Sequence, residues 1–209
     1  MNKFERIRLI KALGLNTEED ILITSEEDWV RQSRWLNRFD AYTVRAFRQD
    51  GVTGTDPYFA VIGREDFEPH RRDWLDRGLM LIIAEPVDPQ YAEFAGTILR
   101  DGELTEVQIA RGPGATVRRV THEGYIDDTY VVRDRGKSTG DPKVDEALRK
   151  VHEVEDRYPH LSSLSHVIYE FSYYRTKVGY RKEHAIFWEI TGIDRMDPGV
   201  TPAELSTAR

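Results

Sequence analysis

The most apolar run of the chain reads Leu79-Met80-Leu81-Ile82-Ile83-Ala84 and is followed at once by Glu85-Pro86-Val87. A continuous apolar run of this length is typical of a central strand that is buried on both faces. Pro86 and Pro89 then break the chain. Because the carboxyl ends of central strands often lie at ligand sites, the backbone of residues 85–87 is a candidate for holding the edge of a planar base. The alternative is an ordinary strand end with an exposed glutamate.

Shorter elements surround this run in the first part of the chain. Apolar or alternating patterns predict strands at residues 21–24, 41–47 and 58–62, and helical periodicity predicts helices at residues 3–13, 25–37 and 64–77. The second and third of these strands are expected to form a hairpin, since they flank a turn-rich loop with two glycines.

The second part of the chain is rich in strands. Asp101-Gly102 is the clearest hairpin pattern and separates predicted strands at residues 93–99 and 104–110. Further strands are predicted at residues 116–121, 129–133, 166–173 and 185–191, and one helix at residues 143–158. This order predicts an α+β fold with a small amino-terminal lobe (1–90), a strand-rich carboxy-terminal lobe (91–193) and a loosely ordered tail (194–209).

Composition narrows the function classes. The 209 residues are 39% hydrophobic and 32% charged, with a net charge of −7. The acidic balance argues against nucleic acid as the main partner, because a phosphate backbone favours a basic face. The chain has no cysteine, which excludes disulfides and cysteine–zinc sites and fits a reducing compartment. Without a signal-like or membrane-spanning stretch, the expectation is a soluble, cytoplasmic protein.

A basic strand leads into the glycine-containing loop at residues 49–55. Arg45 and Arg48 precede Gly51 and Gly54, and an arginine beside such a loop can surround phosphates with a planar cation and backbone N–H groups. The two arginines are three residues apart, so at most one of them faces a given site. The alternative is a surface hairpin with solvated arginines.

Two glutamates lie among large apolar residues on the last two predicted strands. Glu170 occurs in VIYEF and Glu189 in IFWEI. A carboxylate is rarely buried without a partner, and two of them across a hairpin could share Mg²⁺, which takes carboxylate, phosphate and water oxygens. Alternatively, each glutamate lies on a solvent-facing side or forms a salt bridge with Arg175 or Arg181.

A second basic group surrounds the turn Arg111-Gly112-Pro113-Gly114. Arg111, with Arg118 and Arg119 a few residues on, could bind polyphosphate. The alternative is an exposed basic turn.

Taken in order, these segments resemble the ATP-grasp fold. Arg45 stands where that family has a basic, phosphate-facing residue, and residues 49–55 match its flexible glycine loop. Residues 81–87 resemble its adenine-binding strand and hinge, and Glu170 and Glu189 fall where its metal-binding carboxylates occur. The pair Val44-Arg45 is most similar to the nucleotide-binding domain of phosphoenolpyruvate synthase and pyruvate phosphate dikinase.

The resemblance implies two small α+β lobes enclosing a nucleotide cleft, and ATP and Mg²⁺ used to activate a carboxylate or transfer a phosphoryl group. Thr191 replaces the family's usual asparagine after the second carboxylate. We expect no separate substrate domain before the first lobe, so that a second substrate binds the lobes, another subunit or a separate protein. The oligomeric state stays open. A nucleotide-binding or regulatory module without catalysis, and a structural protein with glutamates paired to arginines, are the alternatives.

Overall fold

The structure is a computed structural model that describes residues 3–48, 57–162, 164, 166–179 and 182–192. The chain divides into two compact units. We call Glu18–Asp88 the small unit, and Met1–Thr17 together with Pro89–Arg209 the large unit. No helix in the described ranges is long and apolar enough to cross a membrane.

The small unit is a four-stranded antiparallel sheet with helices. Its elements are β1 (Asp20–Ile23), α2 (Glu26–Arg31), α3 (Ser33–Leu36), β2 (Ala41–Phe47), β3 (Tyr58–Gly63), α4 (Arg64–Asp76) and β4 (Met80–Ala84). The strand order is β1-β4-β2-β3, so the LMLIIA run supplies an inner strand and β2 and β3 pair as a hairpin, as the sequence predicts. Ser25 caps α2 by accepting a hydrogen bond from the Asp28 N–H.

One face of this sheet carries the core of the small unit. Val44 and Ile83 are direct cross-strand partners, and both are fully buried together with Phe67 and Trp74 of α4. Burying these side chains supplies the main stabilisation of the unit. Side chains alternate between the two faces of a strand, so the residues between these core positions lie on the opposite face, among them Arg45 and Ile82.

The large unit contains a five-stranded antiparallel sheet. Its elements are α1 (Lys3–Ala12), a 3₁₀ turn (Pro89–Tyr91), β5 (Ala92–Asp101), β6 (Leu104–Arg111), α5 (Val117–Thr121), β7 (Asp128–Val132), α6 (Pro142–Arg157), α7 (Pro159–Ser162), β8 (Val167–Val178) and β9 (Glu183–Thr191). The strand order is β7-β6-β5-β8-β9.

Helix α6 covers one face of this sheet. Its buried apolar residues recur at helical spacing, at Val144, Ala147, Leu148, Val151 and Val154. They share a core with Phe94, Tyr169 and Phe171 of the sheet. Asp141 caps the helix by accepting a hydrogen bond of 2.9 Å from the Lys143 N–H, and Pro142 occupies the first turn.

Two sequence-based expectations differ from the structure. The strand predicted at residues 116–121 is the short helix α5, because β6 is already paired on one edge by β5 and on the other by β7. The expected lobe boundary groups residues 1–17 with the amino-terminal lobe, whereas the structure groups them with the large unit. The reason is that α1 packs against β9 and Asn16 bonds to the β9 backbone. The tail from residue 194 lies outside the described residues.

Candidate functional site

The two glutamates predicted on adjacent strands face each other directly. Glu170 of β8 and Glu189 of β9 are register partners, and directly opposed side chains in an antiparallel pair have Cβ atoms about 4.5–5.5 Å apart. Their neighbours Tyr169 and Phe171 point into the α6 core, so both carboxylates lie on the other face of the sheet. Two carboxylates at this spacing repel, and a nearby cation relieves the conflict.

A transverse row of polar residues continues from this pair across the sheet. Thr97 of β5 is the register partner of both Glu170 and Gln108 of β6, and Gln108 is in turn opposite Thr129 of β7. Gln108 Nε2 donates a hydrogen bond of 2.6 Å to Glu106 Oε1. Sequence reasoning missed Thr97 and Gln108 because their place beside the glutamates depends on the register of four strand pairs.

Glu189 already has a cationic partner. Its carboxylate forms an ion pair with Arg6 of α1, and the two side chains are 12% and 26% exposed. From sequence, Arg175 and Arg181 are the candidate partners of the two glutamates, and Arg6 is a partner that the sequence did not indicate. Arg181 lies outside the described residues. Within the described ranges, no group of three or more His, Cys, Asp or Glu side chains could hold a metal ion. A cation such as Mg²⁺, which binds proteins through one or two carboxylates plus phosphate and water, still fits the Glu170–Glu189 pair.

Arg45 lies on the face of the small sheet that is opposite the core. Its register partners are Tyr58 of β3 and Ile82 of β4. The guanidinium carbon is 4.5 Å from the centre of the Tyr58 ring. Among the described residues, the buried Nε of Arg45 has no hydrogen-bond partner. A desolvated donor of this kind is suited to an anion, because leaving it unpaired costs about 1–3 kcal/mol.

Of the other residues predicted to surround phosphates together with Arg45, the structure describes Arg48. Arg48 lies just beyond β2 and is exposed. Gly51 and Gly54 fall outside the described residues, and so does the expectation that their loop is mobile.

The segment after β4 is tied to the start of β1. The Glu85 N–H donates to the Glu19 carbonyl and the Glu19 N–H donates to Glu85 Oε1, both at 2.9 Å. Since Pro86 has no N–H, the remaining backbone donor of this segment is that of Val87, whose side chain is buried.

Arg45 and Glu85 belong to neighbouring parts of the small unit. Arg45 is opposite Ile82 of β4, and Glu85 follows Ala84, the last residue of that strand. That the two side chains face one nucleotide site remains a prediction from the sequence.

Arg111 and Arg118 are not brought to the glutamates. Arg111 donates to Asp128 at 2.5 Å and to Asp141 at 2.7 Å, on the α6 side of the sheet. Burial acts to lower the pKa of Arg111, but its hydrogen bonds to Asp141 and Asp128 outweigh burial and raise that pKa. Arg118 on α5 is 78% exposed and 3.8 Å from Glu123. The structure therefore engages both arginines locally.

Comparison with known proteins identifies the fold. No family model and no curated protein matches the chain. A solved structure, D-alanyl-alanine synthetase A from Vibrio cholerae, is similar over 98% of this chain and 58% of its own, with 13% identity and a TM-score of 0.51. The ADP complex of N5-carboxyaminoimidazole ribonucleotide synthetase is similar over 91% of this chain and 44% of its own, with 15% identity and a TM-score of 0.52. The chain thus has an ATP-grasp fold and spans about half the length of these enzymes.

Proposed function

We propose that this protein binds ATP with Mg²⁺ and uses it in a ligase or phosphotransfer reaction. The observation that carries the proposal is the direct pairing of Glu170 and Glu189 on the face of the large sheet opposite α6. Two further findings support the proposal. The chain has an ATP-grasp fold, and one solved structure with that fold contains ADP. We propose further that the nearest likeness is to the nucleotide-binding domain of phosphoenolpyruvate synthase and pyruvate phosphate dikinase, on the basis of Val44-Arg45.

In the small unit, Arg45 would bind the phosphates. Its Nε is desolvated without a hydrogen-bond partner in the described part of the chain, so an anionic oxygen there restores a hydrogen bond at little further desolvation cost. The loop with Gly51 and Gly54 would cover the same phosphates. The Val87 N–H and the carbonyl groups of Glu85 and Val87 would hold the base, while the Glu85 carboxylate keeps its bond to the Glu19 N–H.

In the large unit, Glu170 and Glu189 would hold Mg²⁺. When bound, Mg²⁺ neutralises charge on the phosphate oxygens and orients them for transfer. The two carboxylates fix the position of the cation from one rigid strand pair, and positioning plus charge neutralisation supplies most of the catalysis in phosphoryl transfer. Arg111 has no part in this proposal, since Asp128 and Asp141 already engage its guanidinium.

Arg6 makes a non-catalytic nucleotide-binding module the second candidate. Its ion pair with Glu189 already supplies a positive charge at one of the two carboxylates. A protein that senses nucleotide without turnover would keep this pair when nucleotide binds. An enzyme would exchange Arg6 for Mg²⁺ at Glu189.

Thermal unfolding with added nucleotide tests the proposal. ATP, ADP and GTP are each added with and without Mg²⁺, because a ligand that binds only the native state raises the melting temperature. We expect ATP with Mg²⁺ to raise it, Arg45→Gln to reduce the rise strongly, and Arg48→Gln, at the exposed position directly after β2, to retain most of it. If no nucleotide raises the melting temperature of the wild type, the proposal is wrong.

A further inference from the structure

Tyr58 and Arg45 form a closely packed pair on the face of the small sheet that is opposite the core. They are register partners in the β2–β3 hairpin, so their Cβ atoms are neighbours. The guanidinium carbon lies over the tyrosine ring at 4.5 Å. Tyr58 is the first residue of β3 and remains 49% exposed although its ring carries this contact.

Two other arginines of the small unit also lie over aromatic rings, Arg71 over Trp29 and Arg38 over Phe39, but both have carboxylate partners as well. Arg71 contacts the carboxylates of Glu26 and Glu68, and Arg38 makes a two-pronged contact with Glu19 at 2.9 Å. Arg45 is held by an aromatic face, and its buried Nε has no hydrogen-bond partner among the described residues. A carboxylate partner would consume the N–H groups of a guanidinium, whereas a ring contacts only its flat face.

The tyrosine remains neutral beside this cation. Burial raises the pKa of the Tyr58 phenol, and the nearby Arg45 lowers it only in part. The contact is therefore cation–π and not an ion pair, so the ring itself does not neutralise the positive charge of Arg45; the buried Glu18 carboxylate also acts on Tyr58. Fixing the guanidinium beforehand also reduces the conformational entropy lost when such a ligand binds.

We propose that Tyr58 is a positioning residue that holds the guanidinium of Arg45 flat, with its N–H edge directed to the phosphates of a nucleotide. The proposal rests on the proposed function and adds a residue to it. Tyr58 acts through Arg45 and needs no contact with the nucleotide itself.

Calorimetric titration with ATP and Mg²⁺ measures the effect. Tyr58→Leu removes the ring and is expected to weaken ATP binding roughly two- to five-fold, the range of a cation–π contact near the surface. Tyr58→Phe keeps the ring face and is expected to bind within about two-fold of the wild type. Tyr91→Leu, at a tyrosine that is 60% exposed in the large unit, is the matched control and should leave the affinity unchanged.

The double variant separates positioning from a general structural role. If Tyr58 acts through Arg45, adding Tyr58→Leu to Arg45→Gln causes no further loss of affinity. Equal ATP affinity of Tyr58→Leu and the wild type overturns the Tyr58 inference alone, as does a full additional loss in the double variant. Absence of ATP binding by the wild type, or wild-type affinity in Arg45→Gln, overturns the proposed function as well.

Discussion

At the scale of single residues, the charge balance around Glu189 decides how the candidate metal site behaves without metal. Glu170 and Glu189 are opposed across β8 and β9, and Arg6 of α1 forms an ion pair with Glu189. Breaking this ion pair should therefore destabilise the metal-free protein.

Glu189→Gln should destabilise the metal-free protein by about 1–2 kcal/mol, because it leaves the partly buried Arg6 without its carboxylate. Arg6→Gln should also destabilise the protein, and adding it to Glu189→Gln should cause little further loss, because both changes break the same ion pair. Urea unfolding of the two single variants and the double variant measures the losses. Fully additive losses would contradict the assigned ion pair.

At the scale of elements, helix α6 carries a histidine that is unfavourable to protonate. Burial lowers the pKa of His152, and among the nearby charges Glu155 raises it while Arg100 lowers it. The folded state therefore binds this proton less readily than the unfolded chain does. This contribution to stability is complete above the unfolded pKa of about 6.5 and is lost as the pH falls below it.

We expect the free energy of unfolding to decline as the pH is lowered from about 7 to about 5.5, and His152→Gln to reduce that decline. The shifted carboxylates Asp28, Asp141 and Asp145 have lowered pKa values, so their contributions are lost at more acidic pH. Denaturant unfolding at several pH values measures the decline attributed to His152 and the further loss of stability at more acidic pH. An identical decline in the variant would show that His152 is not its source.

The turn between β8 and β9 depends on a glycine that no other residue can replace without strain. Gly179 has a φ of +80°, and a Cβ added there would lie 2.7 Å from the Thr17 carbonyl oxygen. Gly179→Ala should cost about 2–5 kcal/mol from backbone strain and steric overlap together. Gly102, at φ +59° with nothing within 4 Å of an added Cβ, is the control, and Gly102→Ala should cost about 1–2 kcal/mol. Thermal unfolding compares the two, and equal losses would contradict the close approach of Thr17.

At the scale of the whole molecule, local patterns predicted most elements, and long-range pairing decided the rest. The LMLIIA run, the Asp101-Gly102 hairpin and the amphipathic α6 each depend on neighbouring residues, and the structure has all three. The packing of α1 on β9 and the helix at Val117–Thr121 depend on which strand edges are filled, which no short window of sequence contains.

In the candidate site, too, some residues could be predicted from local sequence and others could not. The sequence indicated the glutamate pair, because a carboxylate among bulky apolar residues is recognisable locally. It did not indicate Arg6, Thr97 or Tyr58, since each reaches its partner only through strand register or through packing across the length of the chain.

The central claim, that Glu170 and Glu189 hold the Mg²⁺ of a bound nucleotide, is tested most directly by the Mg²⁺-dependent part of the ATP-induced rise in melting temperature. It is the difference between the rise with ATP plus Mg²⁺ and the rise with ATP plus a chelator, compared between the wild type and Glu170→Gln. We expect a clear Mg²⁺-dependent rise in the wild type, and its loss in Glu170→Gln with the Mg²⁺-independent part retained. A Mg²⁺-dependent rise of the same size in both proteins would contradict the claim.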